Sequence, residues 1–159
     1  MAEIDPNKFV EQELAVIKYM FSQQKEIYPM VTLIEGDKRF PIPLHYRDDE
    51  QKDIVSIGIK NLVKERKPDA VVYIAEAWAV IIKDKTDRLD FIPRPTYHPD
   101  RIEQVIAQIE FKTGEKFGCY ANIIRDGPIP RLEKFVTNDY SRNMSMGRFC
   151  DFFPIKQHN

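Results

Sequence analysis

Cysteine is scarce in this chain, and so is any excess of charge. Two cysteines, Cys119 and Cys150, occur in 159 residues, far apart and in no Cys-x-x-Cys or Cys/His pattern. That usage argues against a disulfide-stapled secreted scaffold and against a structural zinc site, and points to free, partly buried thiols in a cytosolic protein. The formal net charge is −1, so no global basic field attracts nucleic acid or an anionic membrane. No apolar run reaches the roughly 18 residues of a membrane span, and the opening Met-Ala-Glu-Ile-Asp-Pro lacks the basic-then-apolar form of a signal peptide. Repeats and low-complexity tracts are missing too. So are G-x-S-x-G, H-E-x-x-H, Walker A and G-x-G-x-x-G, which leaves no cofactor and no metal to expect. What is present, 43% hydrophobic and 31% charged residues, suits a single globular domain over 1–159 with enough chain for a core.

The chain is organised around one apolar run, residues 70–82. It is β-branched and aromatic, with Glu76 as its one charge. Period-2 reading puts Val71, Tyr73, Ala75, Ala77, Ala79 and Ile81 on one face and Ala70, Val72, Ile74, Glu76, Trp78, Val80 and Ile82 on the other. Both faces are mostly apolar, which suits a central strand covered on two sides. A deeply buried Glu76 would need a partner or a raised pKa. The simpler reading is that its face is only partly covered and Glu76 reaches water or a neighbouring Arg or Lys.

Ahead of this run, Asp5-Pro6 is a helix start. Val10, Leu14, Ile17 and Phe21 then recur at helical spacing to about Gln24, and Tyr28-Pro29 closes the element. Met30–Glu35 and Lys38–Leu44 read as a hairpin about Gly36-Asp37. Alternate prolines, Pro41 and Pro43, assign the second strand to a sheet edge. Asp48 with Gln51 resembles a capping box and opens a second helix to about Arg66, in which Gly58 suggests close packing on the small-residue face of the central strand.

Beyond the central strand, residues 83–101 form a long loop with three prolines. Ile102–Phe111 follows as a half-exposed strand, with Val105, Ala107, Ile109 and Phe111 on one face and Gln104, Gln108 and Glu110 on the other. Thr113-Gly114 turns it into Phe117–Arg125. Leu132–Thr137 suggests one more short strand. The last part, 138–159, reads as irregular, with Phe149, Phe152 and Phe153 in a docking segment of short-helix character. The expected fold is α+β: one mostly antiparallel sheet of about five strands with two main helices packed on it, in the order α-β-β-α-β-β-β.

Chemistry concentrates in the long loop, where Arg94, Tyr97, His98, Asp100 and Arg101 offer two guanidiniums, a phenol, an imidazole and a carboxylate for an anion or small polar ligand. Together with Glu76 and Trp78 they are the candidate ligand-binding residues; the alternative is a proline-stiffened surface loop whose charges pair with one another. A second pattern, Asp69 with Glu110-Phe-Lys112, imitates the Pro-Asp … Glu-x-Lys arrangement of restriction-endonuclease-like nucleases, in which two carboxylates hold a divalent ion and a lysine assists. The intervening strand and the element order depart from that family's core.

The element order resembles that of profilin-like and roadblock-like regulatory domains. The strand 72–78, Val-Tyr-Ile-Ala-Glu-Ala-Trp, followed by the loop His98-Pro-Asp-Arg101, resembles a group of small uncharacterised bacterial proteins over about residues 30–126. The resemblance implies a shared fold and points to Glu76, Trp78, His98, Asp100 and Arg101; that group carries no assigned activity. The expected function is a non-catalytic cytosolic binding or interaction module, with a protein partner or self-association through a free sheet edge. The alternative is a ligand-binding protein or metal-dependent hydrolase with its site between Glu76 and the 94–101 loop.

Overall fold

A computed structural model describes residues 4–79, 101–140 and 148–153. Helix α1 spans Pro6–Gln24. It begins at Asp5 because that carboxylate accepts the free N–H groups of Asn7 (3.1 Å) and Lys8 (3.4 Å), which helical bonding leaves without partners. Strands β1, Met30–Glu35, and β2, Lys38–Pro43, form the expected hairpin. Helix α2, Asp49–Arg66, is capped by Asp48, which accepts the Gln51 N–H at 2.8 Å. The Gln51 side chain reaches back to the Arg47 N–H at 2.7 Å, a close variant of the capping box. Strands β3, Ala70–Ala79, β4, Ile102–Phe111, and β5, Lys116–Ile124, follow. Two short strands end the sheet, β6 at Arg131–Leu132 and β7 at Val136–Asp139.

All neighbouring strands pair antiparallel. The order is β2-β1-β3-β4-β5-β6, with β7 also on β5. The α+β class and the element order stand as expected, and among the described residues the sheet has seven strands rather than about five. The one expected short strand at 132–137 is two, β6 and β7, so Asn138 and Asp139 are in the sheet rather than in an irregular tail. β2 lies at the edge as its prolines require: Pro41 and Pro43, opposite Thr32 and Met30, have no N–H to offer a further strand.

The helices lie on opposite faces. α1 sends Val10, Ile17 and Phe21 onto Ala70, Val72, Ile74, Val105, Ala107 and Ile109. α2 sends Ile59 and Val63 onto Val31, Leu33 and Val71, with Phe149 and Phe152 in the same cluster. Fully burying each such side chain contributes about 1.5–3 kcal/mol, which explains why both faces of β3 are apolar over its first half. Beyond Ile74 the cover of α1 ends, and Glu76 and Trp78 emerge on its face.

Two expectations are corrected. Gly58 does not seat α2 on Ala75, Ala77 and Ala79: a Cβ there would meet nothing within 4 Å, because Gly58 lies on the outward side of the helix. Glu110, placed on the exposed face of β4 by alternation, is only 1% exposed. The segment 148–153 folds back over it, as a bend rather than a short helix.

One buried charge was invisible in the pattern. Glu13, on the inward face of α1, is 4% exposed and takes both guanidinium nitrogens of Arg39 from β2. A bidentate pair of this kind offsets the desolvation that a lone carboxylate would suffer.

Candidate ligand site

Seven strands are wider than one helix can cover. On its face of the sheet α2 shields β1 and β3, while among the described residues no helix lies on the same face of β4, β5 and β7, which the segment 148–153 covers only at the Glu110 end. The ladder sets one row across that surface: Tyr73 opposite Gln108, Gln108 opposite Gly118, Gly118 opposite Asn138. The next row is Ala75, Ile106, Tyr120 and Val136. Gly118 makes a dent in the middle of the first. A Cβ at that position would sit 2.6 Å from Cε2 of Tyr140, so the glycine is what allows the Tyr140 ring to lie against the sheet.

The returning segment builds the facing wall. Phe149 stacks on Tyr73 (centroids 4.8 Å apart) and on Tyr46 (6.1 Å), within the range in which aromatic pairs contribute beyond their buried area. The Tyr46 and Tyr73 hydroxyls are near enough to influence each other's titration. Lys52 of α2 holds its ammonium 5.0 Å from the centre of the Tyr46 ring. Arg148 is tied to α2 through Asp53 (2.6 Å) and Asp49 (3.6 Å). The result is a cleft of about 450 Å³ whose walls carry Tyr46, Tyr73, Tyr120, Tyr140 and Phe149, with the carboxamides of Gln104, Gln108 and Asn138 among them. Its size and its mixture of aromatic wall and sparse polar groups are those of a small-molecule site.

Glu110 anchors this wall. Its Oε2 accepts the Asp151 N–H at 2.7 Å and its Oε1 the Phe152 N–H at 2.9 Å, and Gln108 Nε2 donates to Oε2 at 3.1 Å. Lys116 adds an ion pair to Asp151 at 2.9 Å. Burial pushes the Glu110 carboxyl above its ordinary range against the opposing pull of these three donors.

Two phenols and two thiols of the cleft are raised as well. Burial raises the phenols of Tyr46 and Tyr73, the latter strongly. It raises the Cys119 thiol and, with the negative charges of Asp151 and Glu110, pushes Cys150 up to about 11. A phenol or thiol tuned in this direction stays protonated at neutral pH, suited to hydrogen bonding and poorly suited to acting as nucleophile or base.

Of the residues singled out by sequence, Glu76, Trp78 and Arg101 lie within the described chain, and Arg94, Tyr97, His98 and Asp100 lie outside it. Arg101 is brought to Trp78, its guanidinium 4.5 Å from the ring centre. Both border a shallow depression with Glu103 and Arg125, which are themselves paired at 2.6 Å. Glu76 accepts the Ile27 N–H at 3.2 Å and so fastens the link between α1 and β1 to β3. Burial raises its pKa, with that amide and the charge of Arg125 working against the rise.

The Asp69/Glu110/Lys112 pattern divides. Lys112 reaches Asp69, whose other oxygen accepts the Gly36 N–H at 2.7 Å, at the edge of a wider depression of about 1020 Å³. Glu110 is committed instead to the backbone of 151–152. Among the described residues no group of three or more His, Cys, Asp or Glu side chains is placed to hold a metal ion, and no helix is long and apolar enough to cross a membrane.

The cleft escaped sequence reasoning because its walls come from six separated stretches. One signal was present: Gly118 interrupts the alternation of β5, and a glycine inside a strand marks a close approach. No protein-family model, curated protein or solved structure matches the chain. The resemblances to profilin-like and roadblock-like domains and to the Glu-Ala-Trp group therefore rest on element order and sequence motif alone.

Proposed function

We propose that the protein is a non-catalytic binding module whose ligand is a small flat heterocycle held in the cleft over Gly118. The observation that carries this reading is the pairing of an aromatic wall (Tyr73, Phe149, Tyr120, Tyr140) with a row of carboxamides along the same open sheet face. Aromatic faces hold a flat ring by stacking, and carboxamides offer donors and acceptors to its edge. The Lys52 ammonium at the rim favours a ligand that carries a small anionic group. The upward shifts of Tyr46, Tyr73, Cys119 and Cys150 support binding over catalysis. Two buried cysteines outside any disulfide support the cytosol as the place of action.

The test is a thermal-shift screen of the wild type against nucleobases, nucleosides, nucleotides and other bicyclic heterocycles, repeated on Tyr120→Ala. Binding to the folded state stabilises by mass action, about 2.7 kcal/mol at a hundredfold excess over Kd. The reading expects at least one heterocycle to raise the midpoint in the wild type and to lose that effect in the variant. If no heterocycle shifts the wild type, or if Tyr120→Ala responds unchanged, the cleft is not the site. A second reading, a polar-ligand site beside Trp78 and Arg101, is favoured by their stacking; it expects Trp78→Ala, and not Tyr120→Ala, to abolish the response.

A further inference from the structure

Among the described residues nothing packs on the outward face of α2 around Ile54 and Ile57. Ile54 is 64% exposed and Ile57 58% exposed, on the side away from the buried Ser56, Ile59 and Val63. Beside them Gly58 stands in the helix interior with nothing within 4 Å of a would-be Cβ. A glycine there costs about 1 kcal/mol against alanine, and no described residue packs closely enough to require it. Glu50, Ile54, Ile57, Asn61 and Lys64 follow one another at alternating steps of four and three residues, and all five are exposed. That is the spacing of a coiled-coil seam, with apolar residues in the middle and a polar Asn of the kind that fixes register.

The charges run in a particular order along this seam. The first turn of α2 carries Asp49 and Glu50, and the last carries Lys64 and Arg66. Asp49 and Asp53 already serve Arg148, which leaves Glu50 as the acidic end of the seam. Glu50 precedes Ile57 by the same interval as Lys64 follows it. Rotation by half a turn about Ile57 therefore lays Glu50 of one helix against Lys64 of the other, and the two helix dipoles oppose. A surface that complements itself under a two-fold rotation is the requirement for an isologous dimer. The sheet edges are the weaker alternative, because Pro41 and Pro43 blunt β2 and the far edge offers only the short strands β6 and β7, of two and four residues.

We infer that α2 is the contact face of a homodimer, two copies packing their α2 helices antiparallel about Ile57 with Gly58 letting the backbones approach. Sedimentation velocity of the full chain across a micromolar concentration series tests it. The wild type is expected to pass from monomer to dimer as concentration rises. Ile57→Glu is expected to weaken the dimer by at least roughly a hundredfold, since it removes two apolar side chains at the two-fold. Glu50→Lys and Lys64→Glu are each expected to weaken it by roughly tenfold, because each reverses two symmetry-related pairs, and the double reversal is expected to restore it. These positions are exposed, so circular dichroism should show each variant folded. A wild type that stays monomeric throughout overturns the inference. So does a dimer that Ile57→Glu leaves intact, or a double reversal no better than either single change.

Discussion

Replacing Glu110 by alanine strips the C-terminal segment of the acceptor that holds it down. Two N–H groups, the part-buried one of Asp151 and the buried one of Phe152, lose their partners, and an unsatisfied buried donor costs about 1–3 kcal/mol. The segment can escape that penalty by undocking. It then gives up the burial of Phe152, 1% exposed, which contributes about 1.5–3 kcal/mol, along with the Lys116–Asp151 pair. Whichever route is cheaper sets the loss, so the expected destabilisation is about 2–4 kcal/mol. Urea unfolding followed by circular dichroism measures it, and amide exchange at Asp151 and Phe152 locates it. Undocking should also lower the denaturant slope, since less surface remains to be exposed on unfolding. Because Phe149 and Cys150 line the cleft, the same variant should lose affinity for any ligand bound there. A loss below about 0.5 kcal/mol, with protection at the two amides unchanged, would refute the reasoning.

Gly58→Ala should raise the stability of dilute protein by up to about 1 kcal/mol while weakening self-association, so chemical denaturation and sedimentation should move in opposite directions. Arg39→Ala should cost more than Glu13→Gln in equilibrium unfolding, since it strands a carboxylate with a 5% exposed side chain, whereas Arg39, 45% exposed, can rehydrate. Gly118→Ala drives a methyl group toward the Tyr140 ring. The ring can swing toward solvent, so ligand affinity should fall several-fold with a stability change within about 1 kcal/mol. Stability should also carry two opposite pH signatures. Glu110, raised by burial, contributes fully below its unfolded-state pKa of about 4.3 and loses that contribution as pH rises through its higher folded value. Asp69, held low by Lys112 and the Gly36 amide, contributes above its unfolded-state value of about 3.9 and loses it as pH falls through the folded one. Denaturation across pH of Glu110→Gln and Asp69→Asn should each remove one limb.

The parts of the fold legible in sequence are those written by local rules. Asp5-Pro6 fixes the start of α1 and Asp48 that of α2, because a capping carboxylate acts within three residues of itself. Pro41 and Pro43 reveal the edge strand, because a missing N–H is a property of the residue alone. The failures are contacts made across long separations. Glu110 looks exposed by alternation until a segment some forty residues later covers it. Glu13 looks like surface until Arg39 of β2 arrives beneath α1. Gly58 suggests packing inward, yet its place on the helix turns it outward. The cleft over Gly118 went unread for the same reason. Sequence drew attention to one contiguous loop dense in polar groups, whereas the cleft is assembled by strand register from residues that are individually unremarkable.

The most direct test is nitrogen-15 chemical-shift mapping of the wild type with the heterocycle that best stabilises it. The account predicts shifts clustered at Gln108, Gly118, Tyr120, Asn138 and Phe149, with the Trp78 indole and Arg101 amide unmoved. Shifts confined to Trp78, Arg101 and Glu76, or scattered with no cluster over Gly118, would contradict it.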